Sequence, residues 1–153
     1  MALTDEFHAY EGRLTHDLRL LCEQAISRSV KRGLGGNIFS LFLLRSLIRW
    51  ERTVGNAVIE HCGVQLVDVD RAVEASISAI KKPERREGFF LLSVRELLET
   101  TSQIAAELNH DYMGTEHAVL AQIRSADEAG CILVACGVTE EQFKTHLVKM
   151  LDG

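Results

Sequence analysis

The stretch HDYMGTEHAVLA, residues 110 to 121, gathers two histidines, an aspartate and a glutamate within eight positions around a Gly-Thr pair. Side chains of these types could ligate a metal, pass a proton or start a helix. A zinc site needs three or four converging ligands. His110 and His117 flank a turn, HExxH is absent, and no cysteine pair is spaced to complete a shell. Spacing assigns no serine or cysteine to His117 as a nucleophile. Helix-start chemistry accounts for more of the motif. Thr115 is suited to an N-cap, Gly114 to a sharp turn before it, and Glu116 to the first turn, where the helix dipole favours an acid by about 0.3–1 kcal/mol. His117 then reads as a hydrogen-bonded core or boundary histidine. The motif nominates no catalytic residue, no metal site and no cofactor.

Phosphate chemistry fares no better. Gly33-Leu34-Gly35-Gly36-Asn37 is glycine-rich, but no Lys-Ser/Thr follows it and it sits at a helix end. ATP hydrolysis by a P-loop is excluded, and any energy that this chain serves must come from a partner.

The elements that position these residues read as helices. Leu18, Leu21, Cys22, Ala25 and Ile26 recur at helical spacing, as do Val94, Leu97, Leu98, Thr101, Ile104, Ala105 and Leu108. Ser93 to Glu96 and Thr139 to Gln142 both fit a capping box, and Gly63 and Gly137 fit helix C-termini. The spacing predicts an all-α fold with about eight helices, near residues 15–32, 40–49, 54–62, 67–79, 93–108, 116–124, 127–136 and 140–151. The four cysteines, Cys22, Cys62, Cys131 and Cys136, form no CxxC and read as buried thiols.

KKPERREG, residues 81 to 88, holds the only proline, lacks apolar periodicity and divides the chain near its middle. Val58 to Val64 matches Ile132 to Val138, with Cys-Gly-Val identical after a shift of 74. Upstream, Leu47-Ile48-Arg49 pairs with Gln122-Ile123-Arg124 after a shift of 75. The chain thus reads as an N-terminal extension (1–13), a first repeat (14–80), a charged linker (81–89) and a second repeat (90–153). Four helices per copy make too shallow a core alone, so the copies are expected to pack as one pseudo-twofold domain.

From about Leu14 onward the chain resembles the Clp amino-terminal domain, the double motif that precedes the AAA+ modules of ClpA, ClpB and ClpC unfoldases. Leu108 to His117 is similar to the family's LGH-x-Y-[IV]-GTEH, and Cys136-Gly137-Val138 to its closing LGV. In the first copy Leu14-Thr15 resembles the opening FT, and Arg49 to Val64 the REGEG…LGV segment. Phe39-Ser40-Leu41-Phe42 stands where GTEH is expected, and Phe90 to Val94 where YTPRA is expected.

The resemblance implies a non-catalytic protein-binding module that docks substrates or adaptors for an AAA+ unfoldase. Its partners would be substrate polypeptides, adaptors, or Clp ATPase or protease subunits. It is also compatible with a free-standing accessory protein that binds a Clp ring or protease core, while a small metal-binding protein or enzyme on the same scaffold is the weaker alternative. Some family members bind phosphoarginine, with the GTEH glutamate on the guanidinium and a threonine near the copy's first helix on the phosphate. Glu116 matches that glutamate and Thr15 that threonine. Leu41 and Leu91 replace their counterparts, so neither copy holds a full set, which weighs against phosphoarginine. Phe39, Leu41, Phe42 and Trp50 either fill the core, the favoured reading, or leave an apolar patch for a partner.

Composition narrows the partner classes. A formal net charge of -5 with scattered basic residues gives no electrostatic footprint for nucleic acid. No apolar run approaches the roughly 20 residues needed to span a bilayer. The segment MALTDEFHAYEGR has early acids and no apolar h-region, which predicts a cytoplasmic protein.

Overall fold

The apolar stripes become helices that pair within each repeat and also pack across the two repeats. The computed structural model describes the backbone of residues 3–32, 36–50, 52–80 and 87–152, and the side chains of 6–32, 38–50, 52–80 and 93–152. The described helices are α1 (Leu3–His8), α2 (His16–Arg32), α3 (Gly36–Arg49), α4 (Val54–His61), α5 (Leu66–Ala79), α6 (Glu87–Glu107), α7 (Thr115–Ser125), α8 (Glu128–Ala135) and α9 (Glu140–Asp152). The protein is all-α, as expected. The expected linker falls partly on residues 81–86, which lie outside the described residues.

Local chemistry sets most helix ends. The Thr15 hydroxyl accepts from the Leu18 amide, Thr53 from Asn56, Asp127 from Gly130 and Thr139 from Gln142, so four helices carry a side-chain N-cap. Gly63 and Gly137 take φ of +84° and +107°, the left-handed turn that closes α4 and α8 as their spacing implies.

Two expected starts are corrected. Ser93 lies inside α6, because the run Phe89-Phe90-Leu91-Leu92 continues the helix upstream to Glu87, and propagation is cheap once a helix exists. Ser40 lies inside α3, which begins at Gly36. A short helix, α1, also forms within the expected N-terminal extension. It buries Phe7 and pairs Glu6 with Arg95 of α6 at 2.8 Å.

Packing follows the pseudo-twofold. α2 lies against α3 and α6 against α7, each pair within a copy. Within the copies α3 also packs on α5, and α7 on α8 and α9, while across them α4 packs on α7 and α9, and α8 packs on α3 and α5. The core runs through this crossover, with Leu18, Leu21, Leu43, Leu44, Ile59, Leu98, Leu120 and Phe143 wholly excluded from solvent. Burying each such side chain contributes about 1.5–3 kcal/mol. Phe39, Leu41 and Phe42 join this core at 1%, 1% and 4% exposure, because α2, α5, α6 and α8 all pack around α3, and Trp50 packs partly buried against it. They present no apolar patch.

The cysteines depart from expectation. All four are free thiols, but Cys22 alone is fully buried, while Cys62 and Cys136 are half-buried and Cys131 is exposed. Burial pushes the Cys22 thiol up to about 12, which leaves it unreactive as a nucleophile. No described helix is long and apolar enough to cross a membrane.

Candidate functional site

The loop that leads into α7 is held by the opposite copy. The Met113 amide donates to the Arg13 carbonyl at 2.7 Å, and the Thr15 amide donates to the Met113 carbonyl at 2.9 Å, a two-residue parallel bridge between Leu14 and Met113. Thr15, at the start of α2, is thereby brought to the segment that enters Thr115 and Glu116. The positions that match the resembled motif come from different copies but meet at one end of the molecule. Their replaced counterparts, Leu41 and Leu91, lie on the contacting helices α3 and α6. The side chain of Leu91 lies outside the described residues.

Thr115 is not the N-cap that its type and place suggest. Gly114 takes that position, with extended backbone, and Thr115 is the first helical residue. Its hydroxyl instead accepts from the Gly55 amide of α4 at 3.0 Å, a buried bond between copies. The φ of -113° at Gly114 suits any residue, but a Cβ there would push aside the Glu116 carboxylate folded back over it.

Glu116 is 2% exposed. Its Oε2 accepts from the Tyr112 hydroxyl at 3.1 Å. Burial raises its carboxyl above the usual range, opposed by its own backbone amide, the Tyr112 hydrogen bond and the neighbouring His110. Desolvation and the adjacent Glu116 charge push the Tyr112 phenol up to about 12.

His117 completes the cluster. Its Nδ1 accepts from the Gly114 amide at 2.9 Å, so the proton of the neutral ring resides on Nε2, which donates to His110 Nδ1 at 2.8 Å. Tyr112 stacks on His110 with ring centroids 5.1 Å apart and an interplanar angle of 11°. Burial, followed by the charge of His110, depresses His117 to about 4. A ring held neutral by a backbone donor makes a structural clamp on the loop. As a general base it has no reacting partner within reach among the described residues.

No group of three or more His, Cys, Asp or Glu among the described residues is placed to hold a metal ion. At the opposite half, Phe39, Ser40 and Leu97 line a small cavity of about 190 Å³ together with the hydroxyls of Ser93 and Ser125 and the Asp127 carboxylate. Sequence reasoning nominates Glu116, Thr115 and Thr15 but not their contacts Tyr112, whose stacking and hydrogen bond are set by the loop conformation, and Gly55, whose partner lies in the other copy.

Known proteins agree with this architecture. The family model described as Clp repeat (R) N-terminal domain matches residues 13–135. A chaperone protein ClpB of Oceanobacillus iheyensis is 23% identical over 143 residues, covering 93% of this chain and 17% of that protein. A chaperone protein ClpB of Bacteroides thetaiotaomicron is 21% identical over 111 residues, covering 72% of this chain and 13% of that protein. The chain thus spans less than a fifth of the length of these relatives. With its doubled helical motif, crossed packing and GTEH loop, the chain belongs to the Clp N-terminal domain family, a Clp chaperone-associated domain.

Proposed function

We propose that this chain is a non-catalytic protein-binding module of a Clp chaperone or protease system, docking substrates or adaptors for an AAA+ unfoldase. The observation that carries the reading is the junction of Thr15 with the Met113 to Glu116 loop. It sets a hydroxyl-capped helix start and a carboxylate from opposite copies at one end of a rigid scaffold. A carboxylate can make charge-assisted bonds to a guanidinium or ammonium of a client, and a helix start offers amides to an anion. Glu116 is covered by Tyr112 here, so engagement of a cation requires the phenol to swing away. The half that holds Leu41 has no carboxylate at the equivalent position, and docking by that chemistry is confined to the Glu116 end.

The test is affinity retention from native cell extract with the wild type and Glu116→Gln as paired baits, both shown folded by circular dichroism, and mass spectrometry of what is held. Retention of Clp ATPase or protease subunits, or of a defined client set lost with Glu116→Gln, is expected. Folded wild type that retains no Clp component and no client set overturns the reading.

A further inference from the structure

A second, differently charged surface lies away from the Glu116 end. Arg28, Lys31 and Arg32 of α2 and Arg45 of α3 surround a cleft of about 500 Å³ whose floor includes Phe42 and Ile77. Four cations converge here in a chain whose net charge is -5. Several arginines elsewhere are matched to acids: Arg124 binds both Glu107 and Glu140, Arg95 binds Glu6, and Arg19 binds Glu23, while Arg13 donates to a hydroxyl, that of Ser102. In the cleft the α2 arginines have neutral anchors. Arg28 Nη1 donates to the Ser46 hydroxyl at 3.2 Å, and Arg32 Nη2 donates to the Ile77 carbonyl at 3.4 Å. Such bonds orient a guanidinium without neutralising it. The one carboxylate lining the cleft, Glu74, pairs with Arg45 at 2.7 Å and with Arg49 at 2.9 Å, and Arg49 is in turn matched by Asp70 at 2.9 Å, so Arg45 is neutralised and the free charge among the described residues lies on Arg28, Lys31 and Arg32.

The helix dipole favours Lys31 and Arg32 in the last turn of α2, but it explains neither Arg28 nor the half-buried Arg45 in the middle of α3. Nor does the scaffold demand these charges. In the second copy the position equivalent to Arg45 is Leu120, and α6, the counterpart of α2, carries no lysine or arginine from Glu96 to Glu107. At Arg28, Lys31 and Arg32 the cleft breaks the pseudo-symmetry with positive charge that no carboxylate among the described residues pairs with.

We infer that the α2–α3–α5 cleft is a docking site for an acidic segment of a partner protein, whose carboxylates meet Arg28, Lys31 and Arg32. Charge complementarity selects an anionic occupant. A protein is favoured over nucleic acid because the one aromatic of the cleft, Phe42, is 4% exposed and offers no face for a base to stack on, and because the surrounding acidic surface repels a long polyanion. The inference rests on the protein-binding reading above but uses a different face.

The test measures fluorescence anisotropy of a labelled peptide of alternating glutamate and leucine at low ionic strength. Its lysine counterpart and a labelled single-stranded DNA serve as comparison probes. The paired variant Arg28→Glu with Lys31→Glu is set against Arg19→Glu with Lys144→Glu, which changes net charge equally outside the cleft. The cleft pair is expected to weaken acidic-peptide binding by about tenfold or more and the control pair by less than about twofold. Arg28→Gln with Lys31→Gln provides a milder pair, expected to act in the same direction. Equal losses in both charge-reversed pairs, no peptide binding by folded wild type, or tighter binding of DNA than of the acidic peptide overturns the assignment. A chain that retains Clp components yet ignores the peptide sinks the cleft alone. Peptide binding that is lost in the cleft pair, without any Clp retention, upholds the cleft and sinks the Clp reading.

Discussion

The Thr115 hydroxyl accepts from the Gly55 amide at 3.0 Å, and the equivalent Ser40 hydroxyl accepts from the Ala129 amide at 3.3 Å. Each bond runs from the second helix of one copy, α3 or α7, to the first turn of the short third helix, α8 or α4, of the other. Four residues related by the repeat therefore clamp the two halves reciprocally. Neither hydroxyl caps its own helix; each satisfies an amide that α4 or α8 leaves unpaired at its start.

Removing one clamp strands a buried donor. Thr115→Val keeps shape but takes away the acceptor, and a buried amide without a partner costs about 1–3 kcal/mol. Ser40→Ala is expected to cost a similar amount, and Thr115→Ser much less. Urea unfolding midpoints for the three variants check this; an unchanged midpoint for Thr115→Val would show that the amide finds another partner.

Close approach makes a sharper prediction at the glycines beside these clamps. A Cβ on Gly130 would run into the Gln122 carbonyl, whereas one on Gly55 would lie 3.2 Å from the Thr115 carbonyl oxygen and from a Val119 methyl. Backbone cannot yield as a side-chain tip can. Gly130→Ala is expected to lose about 3 kcal/mol or more, and Gly55→Ala about 1 kcal/mol, by thermal or chemical unfolding. Equal losses would place the strain elsewhere.

These contacts mark the limit of what the sequence discloses. The stripe from Leu18 to Ile26 and the Cys-Gly-Val repeat carry their own periodicity, so α2 and the turns at Gly63 and Gly137 were legible. Thr139 capped as its spacing predicts because its partner, Gln142, is three residues away. Ser40, Ser93 and Thr115 looked like helix starts, yet Ser40 and Thr115 place their hydroxyls on the other copy, and Ser40 and Ser93 lie within longer helices. A hydroxyl's partner across a fold leaves no local signature. Glu116 was legible as a first-turn acid, but its fold back over Gly114 and its cover by Tyr112 depend on the Leu14–Met113 bridge, which joins positions far apart in the chain.

His117 makes stability depend on pH in a defined window. Its folded pKa, about 4, lies below the ordinary value of 6.5, so between these values the unfolded chain binds more protons and stability rises with pH. Acidification from about 6.5 to 4 is expected to remove about 2–3 kcal/mol through this ring. Glu116 and Asp127, both raised by burial, run the other way, with stability falling as pH climbs through their elevated values. The difference between wild type and His117→Gln isolates the histidine, because the amide oxygen can still accept from Gly114. Parallel stability curves for the two proteins across this window would show that folding does not depress the His117 pKa.

Tyr112 sets how readily Glu116 ionises. The phenol is one of the donors that oppose burial, so Tyr112→Phe is expected to raise the Glu116 carboxyl further and to expose it to any cation that enters the loop. Carbon-13 titration of the Glu116 carboxyl reads the shift directly. A docking site that works through a charged Glu116 then weakens as its pKa climbs toward the working pH. It gains from the loss of the hydroxyl that competed for Oε2. The balance is read by comparing client retention for Tyr112→Phe at about pH 6 and pH 8. Retention that improves at the higher pH and not at the lower ties binding to the ionised carboxylate. A Glu116 titration that does not move, or moves downward, in Tyr112→Phe would show that the phenol contributes nothing to holding the charge and that the cover over the carboxylate is steric alone.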